Sequence, residues 1–569
     1  MRFSSLFVET QKASKGANAD SGYRLLARAG YVEPLGSGLF SLLPLGLRVT
    51  ERLCRIIREE MNRLGGQEVQ VPLVNPAELW QASGRDAVLK EDMVRFKDRH
   101  GHDLVLAPTH EEAMVELVRR RMRSYRSLPL FLYQFQLKFR DEERPSGGLV
   151  RAREFLMKDG YSFHRSFAEL NNFFPQVFQA YERVFSRCGI QAIAADSGVG
   201  LMGGDRAYEF LFLSKTGDDR VIICDGCGYT ANFEVALGQA ENDREAPREI
   251  ESVHTPGQRT TAHIAAYLKL PTRKLAKPMV FSDDKGAVMA VVRGDHEVSV
   301  EKLSRLMGRP GLRKATRDEL AELGLIPGYL SPLGEIGSRL PSVVDQACAN
   351  NPNMVYGSNE PDYHYLNVNF GRDYASERVA DIARINETHS CIHCGSPLKN
   401  RPATELGNIF RLGNSYSQAM GLSVQNERGE RFHPYMGSYG IGIGRLMSAV
   451  AEAGADEEGI IWPEALAPFG VYLMAVGKSP KVVQASEELY RQLGSDALFD
   501  DRDELVSRKF KDADLMGIPY RVIVSPATVR DGTVELRTRA DGSEEVLTIE
   551  QAVEFLRGRY LRHRHGSAT

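Results

Sequence analysis

The chain reads as a multidomain protein mixing α/β and α+β architecture, and three observations carry that reading. At 569 residues it exceeds one ordinary hydrophobic core, so about three or four domains are expected. Two strand-like runs, 134–142 and 149–157, flank a Pro-Ser-Gly-Gly turn, the pattern of an antiparallel hairpin. Beyond residue 466, apolar runs at 470–476 and 520–524 alternate with helical periodicity at 482–493 and 551–559, which is a small α/β domain.

Bulk properties narrow the class. With 42% hydrophobic and 26% charged residues the composition is that of a soluble globular protein, not a disordered one. A formal net charge of −3 confines any nucleic-acid contact to local basic patches. No run reaches the roughly 18 apolar residues of a membrane helix, and Met1-Arg-Phe-Ser-Ser-Leu-Phe7 lacks the apolar core of a signal peptide. Seven cysteines in so long a chain suit a reducing cytoplasm better than a disulfide framework.

In chain order, Leu47, Leu53, Ile56, Ile57, Met61 and Leu64 predict a helix over 45–64 whose arginines face solvent or a partner. Gly65-Gly66 ends it, and a strand is expected over 67–72, stopping at Pro72. Leu104-Val-Leu-Ala-Pro-Thr109-His-Glu111-Glu112 predicts a strand running into a helix. There Thr109 and Glu112 read as a capping box, or else Thr109 and Glu111 face a pocket and hold a cationic amine. Arg119, Arg120, Arg121, Arg123 and Arg126 follow, as solvated charge or as phosphate contacts.

On the hairpin, alternation places Arg140 with Glu142, and Arg151 and Arg153 with Phe155. A guanidinium, a carboxylate and a ring together suit a phosphate, an amine and a flat base, though a charge-rich hairpin is ordinarily solvated. An aromatic helix is predicted over 167–187. Gly198-Val-Gly-Leu-Met-Gly203 matches the dinucleotide fingerprint in letters only, because a strand-like run and not a helix follows it.

Cys224-Asp-Gly-Cys227-Gly and Cys391-Ile-His-Cys394-Gly bracket a compact α/β-looking segment. If that segment is an insertion, its ends return to one place and four sulfurs converge on one tetrahedral zinc; otherwise they are two reduced thiol pairs. Met436-Gly-Ser-Tyr-Gly-Ile-Gly-Ile-Gly-Arg445 reads as a strand and glycine-rich turn entering a helix, a place for phosphate or simply a packing turn. The basic end, Arg557 to His565, suits phosphate contact or an unstructured tail.

Taken in order, these motifs resemble the bacterial-type prolyl-tRNA synthetases of class II over essentially the whole chain. Gln70-Val-Pro72 is similar to the first class motif, associated with the dimer interface. Phe139-Arg140-Asp-Glu142 through Arg153-Glu-Phe155-Leu-Met-Lys-Asp159 is similar to the second, and Gly440-Ile-Gly-Ile-Gly-Arg445 to the third. Pro108-Thr109-His-Glu111-Glu112 matches the Thr-x-Glu loop of the proline pocket. The resemblance implies an antiparallel-sheet catalytic core at 1–235 and 391–465, an inserted α/β editing domain at 236–390 and an α/β anticodon-binding domain at 466–569.

It also implies roles. Arg140 would bind the α-phosphate of ATP and place the proline carboxylate. Glu142 would accept from the adenine amine, Phe155 would stack on the ring, and Arg445 would cover its other face. Thr109 and Glu111 would fix the proline ammonium. Lys277, His364 and the Gly328-Tyr-Leu-Ser-Pro332 loop would serve editing of alanyl-tRNA(Pro), because missing methylenes give only about 1–3 kcal/mol of discrimination. ATP with Mg2+, proline and tRNA(Pro) would be the ligands, Zn2+ a structural ion at the cysteines, and the assembly a homodimer away from membranes.

The sequence departs from the family at Leu505-Val506-Ser507, where Arg-Pro-Gly is usual, and at the hairpin tip Ser146-Gly147. Tyr208 and Asn408 stand where other residues are common. Another class II synthetase is disfavoured by the Thr-x-Glu loop with the insertion. A non-catalytic paralogue would show damage at Arg140, Glu142 or Arg445, and a free-standing deacylase would not need the rest of the chain.

Overall fold

The computed structural model describes residues 1–11, 21–89, 92–309 and 311–564. The chain divides into two compact units: one holds Met1–Ile193, Phe210–Asp219 and everything from Pro402, the other Ala194–Glu209 and Arg220–Arg401.

In the first unit the long helix α1 (Pro44–Arg63) opens on a proline, at a position where its missing N–H costs nothing. Leu45, Val49, Leu53, Ile56, Ile57 and Met61 form its buried stripe, as the periodicity predicts. The strand expected over 67–72 shrinks to β1 (Gln67–Glu68). Beyond it the Val69 amide still reaches the Tyr133 carbonyl (2.8 Å), but Val71 turns to the Gln134 side chain instead (3.0 Å). β2 (Asp103–Leu106) leads into α2 (Glu111–Arg121).

The hairpin consists of β3 (Leu130–Phe139) and β4 (Glu154–His164), shifted from the expected strands. Its ladder ends at Phe139↔Glu154, and residues 140–153 form a folded loop. Three contacts divert the backbone: Asp141 N–H goes to Asp92 O (3.0 Å), Glu142 N–H to Arg140 O (2.7 Å) and Arg153 N–H to Gly38 O (2.8 Å). At the tip Gly147 and Gly148 both have positive φ (60° and 63°). A Cβ on Gly148 would lie 2.1 Å from the Tyr23 ring. α3 (Phe167–Arg187) covers the sheet; Ser166 caps it, and Phe174, Tyr181 and Phe185 are core, as expected.

The second unit contains the segment between the cysteine pairs. After α4 (Thr261–Leu268), β5 (Ala276–Asp283) and β6 (Gly286–Arg293) form an antiparallel hairpin that pairs Lys277 with Val292. With β7 (Arg313–Lys314), β8 (Ser342–Asp345) and, after β9 (Tyr363–Val368), β10 (Arg378–Ala380), it makes a mixed sheet of order β7-β5-β6-β8-β10. The segment's ends meet, since Gly238–Ala240 pairs antiparallel with His389–Cys391. Gly200–Met202 is a single 3-10 turn followed by strand Arg206–Leu213, so the dinucleotide match is rightly set aside.

Back in the first unit, β11 (Lys399–Gly413) and β12 (Tyr435–Gly442) join a sheet that has nine strands among the described residues and runs β1-β3-β4-β12-β11 at one end, and α5 (Ile443–Ala453) follows the glycine-rich turn. In register, Asp159 faces both Gln134 and Gly440, so Gln134, Lys138, Phe155, Asp159, Tyr161 and Ser438 share one face.

The C-terminal α/β layer has β13 (Val471–Ala475), α6 (Pro480–Leu493), β14 (Ala497–Asp500), α7 (Val506–Met516), β15 (Tyr520–Val524), β16 (Thr533–Thr538), β17 (Glu544–Thr548) and α8 (Ile549–Arg564). Its sheet runs β14-β13-β15-β16-β17 over a core that includes Val471, Leu473, Val522 and Leu556. The departing Leu505 precedes α7 with 76% of its surface exposed. The start of the chain lies on this layer. Arg2 pairs with Phe499, Ser4 Oγ donates to Asp501 (2.7 Å) and Thr10 Oγ1 to Asp512 (2.7 Å). His565 lies outside the described residues.

Candidate functional site

The shared sheet face of the first unit carries a cavity of about 30 Å³ lined by Arg140, Glu142, Leu149, Val150, Arg151, Ala152, Phe155, Gly442, Gly444 and Arg445. All four nucleotide-binding candidates therefore meet at one place. Strand alternation is not the reason, because Arg140 and Glu142 sit past the end of β3. The folded loop brings them back: Glu142 pairs with Arg151 (2.8 Å), and the Arg140 amide donates to Arg153 O (2.8 Å).

The Arg140 guanidinium lies 5.1 Å from the Phe155 ring centroid, and its Nε donates to Pro108 O at 3.3 Å. Burial and the nearby charge of Arg445 lower its pKa, leaving a cation that an anion would relieve. Arg445, in the first turn of α5, donates through Nε to Val150 O (2.7 Å) and through Nη1 to Glu405 (2.7 Å). Both arginines are thus positioned before any ligand arrives.

Thr109 and Glu111 stand just beyond Pro108, outside the lining of that cavity. The capping box is not formed: the N-cap of α2 is His110, without a side-chain cap bond. The Thr109 hydroxyl instead donates to Glu111 Oε2 at 2.6 Å, because the chain turns into the helix one residue later than the capping pattern requires. Glu111, with 1% of its surface exposed, also accepts from Ser438 (2.9 Å) and Arg85 (3.3 Å). Arg85 further holds Glu112 (3.1 Å), whose carboxyl is pushed up by burial against the pull of that guanidinium.

Beneath lies a charged layer that sequence reasoning missed. Lys138 Nζ donates to Asp159 (2.6 Å) and to His110 Nδ1 (2.7 Å), while Tyr161 and Gln134 also donate to Asp159 (2.7 and 2.9 Å). Burial, with Lys138 beside it, lowers His110 to about 4, so the ring is neutral, donating from Nε2 to Pro72 O (3.1 Å). The available signal was polar residues at period two, Gln134, Gln136 and Lys138, inside an otherwise apolar strand. Glu405, Ser438 and Arg85 gave no such signal.

In the second unit, β5, α4 and the 328–330 loop enclose a cavity of about 640 Å³ lined by residues including Lys277, Glu297, Gly328, Leu330 and His364. Lys277 Nζ pairs with Glu297 at 2.5 Å. His364 Nδ1 meets the Thr255 hydroxyl at 2.6 Å, and burial lowers its pKa to about 4. Pro332 is not among the lining residues. The four cysteine sulfurs of this unit lie within 4.8 Å of one another, with Cys224–Cys394 at 3.4 Å and Cys227–Cys391 at 3.6 Å. A tetrahedron of thiolates about 2.3 Å from zinc has edges of about 3.8 Å, so the residues fit that ion.

Comparison with known proteins agrees with this geometry. Residues 94–453 match the family described as tRNA synthetase class II core domain (G, H, P, S and T), and residues 470–559 match the anticodon binding domain. A proline--tRNA ligase of Dehalococcoides mccartyi is 40% identical over 559 residues, covering 97% of this chain and 98% of that protein. One from Desulfotalea psychrophila is 41% identical over 564 residues, with 98% of each covered. A crystal structure of prolyl-tRNA synthetase from Cryptosporidium parvum with halofuginone and AMPPNP has the same fold, at a TM-score of 0.55, 12% identity, and coverage of 95% of this chain and 78% of that one. The class II core, the anticodon-binding domain and the full-length identity together place this chain in the prolyl-tRNA synthetase family.

Proposed function

We propose that the protein joins proline to tRNA(Pro) through a prolyl-adenylate. The observation that carries this reading is the convergence of Arg140, Glu142, Phe155 and Arg445 on one cavity beside the Thr109–Glu111 pair. A proline carboxylate oxygen attacks the α-phosphorus of ATP, and the bond to the bridging oxygen breaks as pyrophosphate leaves. A terminal ribose hydroxyl of the tRNA then attacks the prolyl carbonyl, and AMP departs with the electron pair.

Charge develops on the α-phosphate oxygens, where Arg140 stabilises it. Phe155 stacks on adenine, Glu142 accepts from its amine after parting from the half-exposed Arg151, and Arg445 covers the opposite face. Glu111 receives the secondary ammonium of proline, oriented by Thr109 and Ser438. Magnesium travels with the ATP phosphates. Purified protein is expected to exchange pyrophosphate into ATP only when proline is present; proline-independent or absent exchange refutes the reading.

The second unit is assigned to hydrolysis of alanyl-tRNA(Pro), supported by the cavity that joins Lys277, Gly328 and His364. Pro332 supports its loop from outside the lining. Cys224, Cys227, Cys391 and Cys394 hold a structural zinc that ties the two chain crossings of this domain. Domain limits of 1–235, 236–390, 391–465 and 466–569, a cytoplasmic location and a homodimer complete the proposal. Among the described residues no helix is long and apolar enough to cross a membrane.

A further inference from the structure

Among the described residues Asn408 makes a single side-chain hydrogen bond, and it goes to the carboxylate that holds Arg445. Its Nδ2 donates to Glu405 Oε1 at 2.7 Å, while Glu405 Oε2 accepts from Arg445 Nη1, also at 2.7 Å. An ionised carboxylate only accepts, so the amide nitrogen is the atom turned toward it. Residues three apart on a regular strand face opposite ways, so strand alternation alone does not provide this contact. The Glu405 backbone is fixed separately, its N–H donating to Asp219 Oδ2 at 3.1 Å.

Arg445 and Glu405 keep 26% and 21% of their side chains exposed. An ion pair so open to water settles little by charge alone, because both side chains are long enough to swing. With Oε2 on Arg445 and Oε1 on Asn408, the carboxylate is held at both ends. Asn408 in turn is set by β11. It pairs with Gly440 of β12, where a Cβ would come within 3.1 Å of Asn408 Oδ1 and 2.6 Å of Met157 Cε. The arginine needs such a hold, because Arg140 lines the same cavity. There the charge of Arg445 works against the Arg140 cation, while that of Glu405 works for it.

We infer that Asn408 is a positioning residue of the nucleotide site: by fixing the Glu405 carboxylate it sets where the Arg445 guanidinium waits for ATP. The inference rests on the adenylation reading and deepens it, since Asn408 acts through Glu405 and Arg445. An amide does not titrate, so the hold it gives is the same across the working pH range.

The test measures pyrophosphate exchange by the full-length protein at varied ATP and varied proline. Asn408→Ala is expected to raise KM for ATP about tenfold, the scale of one hydrogen bond to a charged group, with KM for proline within about twofold. Asn408→Asp keeps the size but sets two carboxylates together. Its KM for ATP should be higher still at about pH 8 and fall back toward wild type below about pH 6, where the pair shares a proton and regains a donor. In a Glu405→Gln background Asn408→Ala should add less than about twofold, because the group it acts through is already lost. An unchanged KM for ATP in both Asn408 variants overturns the inference, as do equal rises in both KM values or a pH-independent loss in Asn408→Asp. A further tenfold loss in the Glu405→Gln background also overturns it, because Asn408 then acts on its own. Titration calorimetry with Mg-ATP alone repeats the comparison without proline. A Kd about tenfold weaker in Asn408→Ala upholds the inference even if wild type shows no proline-dependent exchange, a result that removes only the adenylation reading. Equal Kd values, or no ATP binding by wild type, overturn it.

Discussion

Replacing Glu111 by glutamine tests the proline pocket most directly. A carboxylate offers about four acceptor positions. Three are taken, by Thr109 at 2.6 Å, Ser438 at 2.9 Å and Arg85 at 3.3 Å, which leaves one for an incoming ammonium. Glutamine keeps the shape but exchanges one oxygen for a donor and removes the charge, so the ammonium loses a charge-assisted hydrogen bond worth about 1.5–3 kcal/mol. At about 1.4 kcal/mol per decade, KM for proline should rise about 10- to 150-fold. The assay is proline-dependent pyrophosphate exchange, with KM for ATP as an internal control expected to stay within about twofold. A proline KM that moves less than about threefold in folded protein refutes the reasoning, as does an equal rise in both constants.

Four further outcomes are expected. Arg85→Leu leaves Glu111 and Glu112 buried beside each other without their cation and should destabilise the protein by about 3–5 kcal/mol, seen as a lowered denaturation midpoint. Elemental analysis should find one zinc per chain, lost in Cys391→Ser; metal-free protein from gentle purification would end the assignment. Lys277→Ala should slow alanyl-tRNA(Pro) deacylation at least tenfold while proline-dependent exchange stays near wild type; an unchanged deacylation rate counts against the role of this lysine. Among the described residues Lys158 donates to the Tyr181 hydroxyl and the Tyr439 carbonyl, and burial lowers its pKa to about 7. Because the unfolded chain binds the extra proton between about 7 and 10.5, stability from this site rises with pH across that window. Wild type should therefore gain on Lys158→Met by up to about 1.4 kcal/mol per pH unit, and a pH-independent gap between them would refute it.

The sequence made some of this site legible and hid the rest for identifiable reasons. The glycine-rich turn into a helix with Arg445 in its first turn is a local signal, and it appears as read. The hairpin was legible as two strands and a turn, but its register was not: the diverting contacts come from Gly38 and Asp92, far away in the chain. Thr109 shows a different failure, because the capping pattern is indifferent to whether a hydroxyl turns to an amide or to a carboxylate two residues on. Glu405 and Arg85 earn their places only through tertiary contact with Arg445 and with Glu111, and nothing in their neighbouring letters announces either partner. The return of the two cysteine pairs to one point was a conditional expectation, and the pairing of Gly238–Ala240 with His389–Cys391 supplies the condition.

The attachment of the first ten residues to the C-terminal layer has a bearing on biosynthesis. Ser4 waits for Asp501, 497 residues later, before its hydrogen bond exists. At about 5–20 residues per second of translation the wait is on the order of 25–100 s, during which this segment is without its native partner. Docking of this segment therefore closes a loop of nearly five hundred residues, and it does so only after the C-terminal layer that receives it has been made.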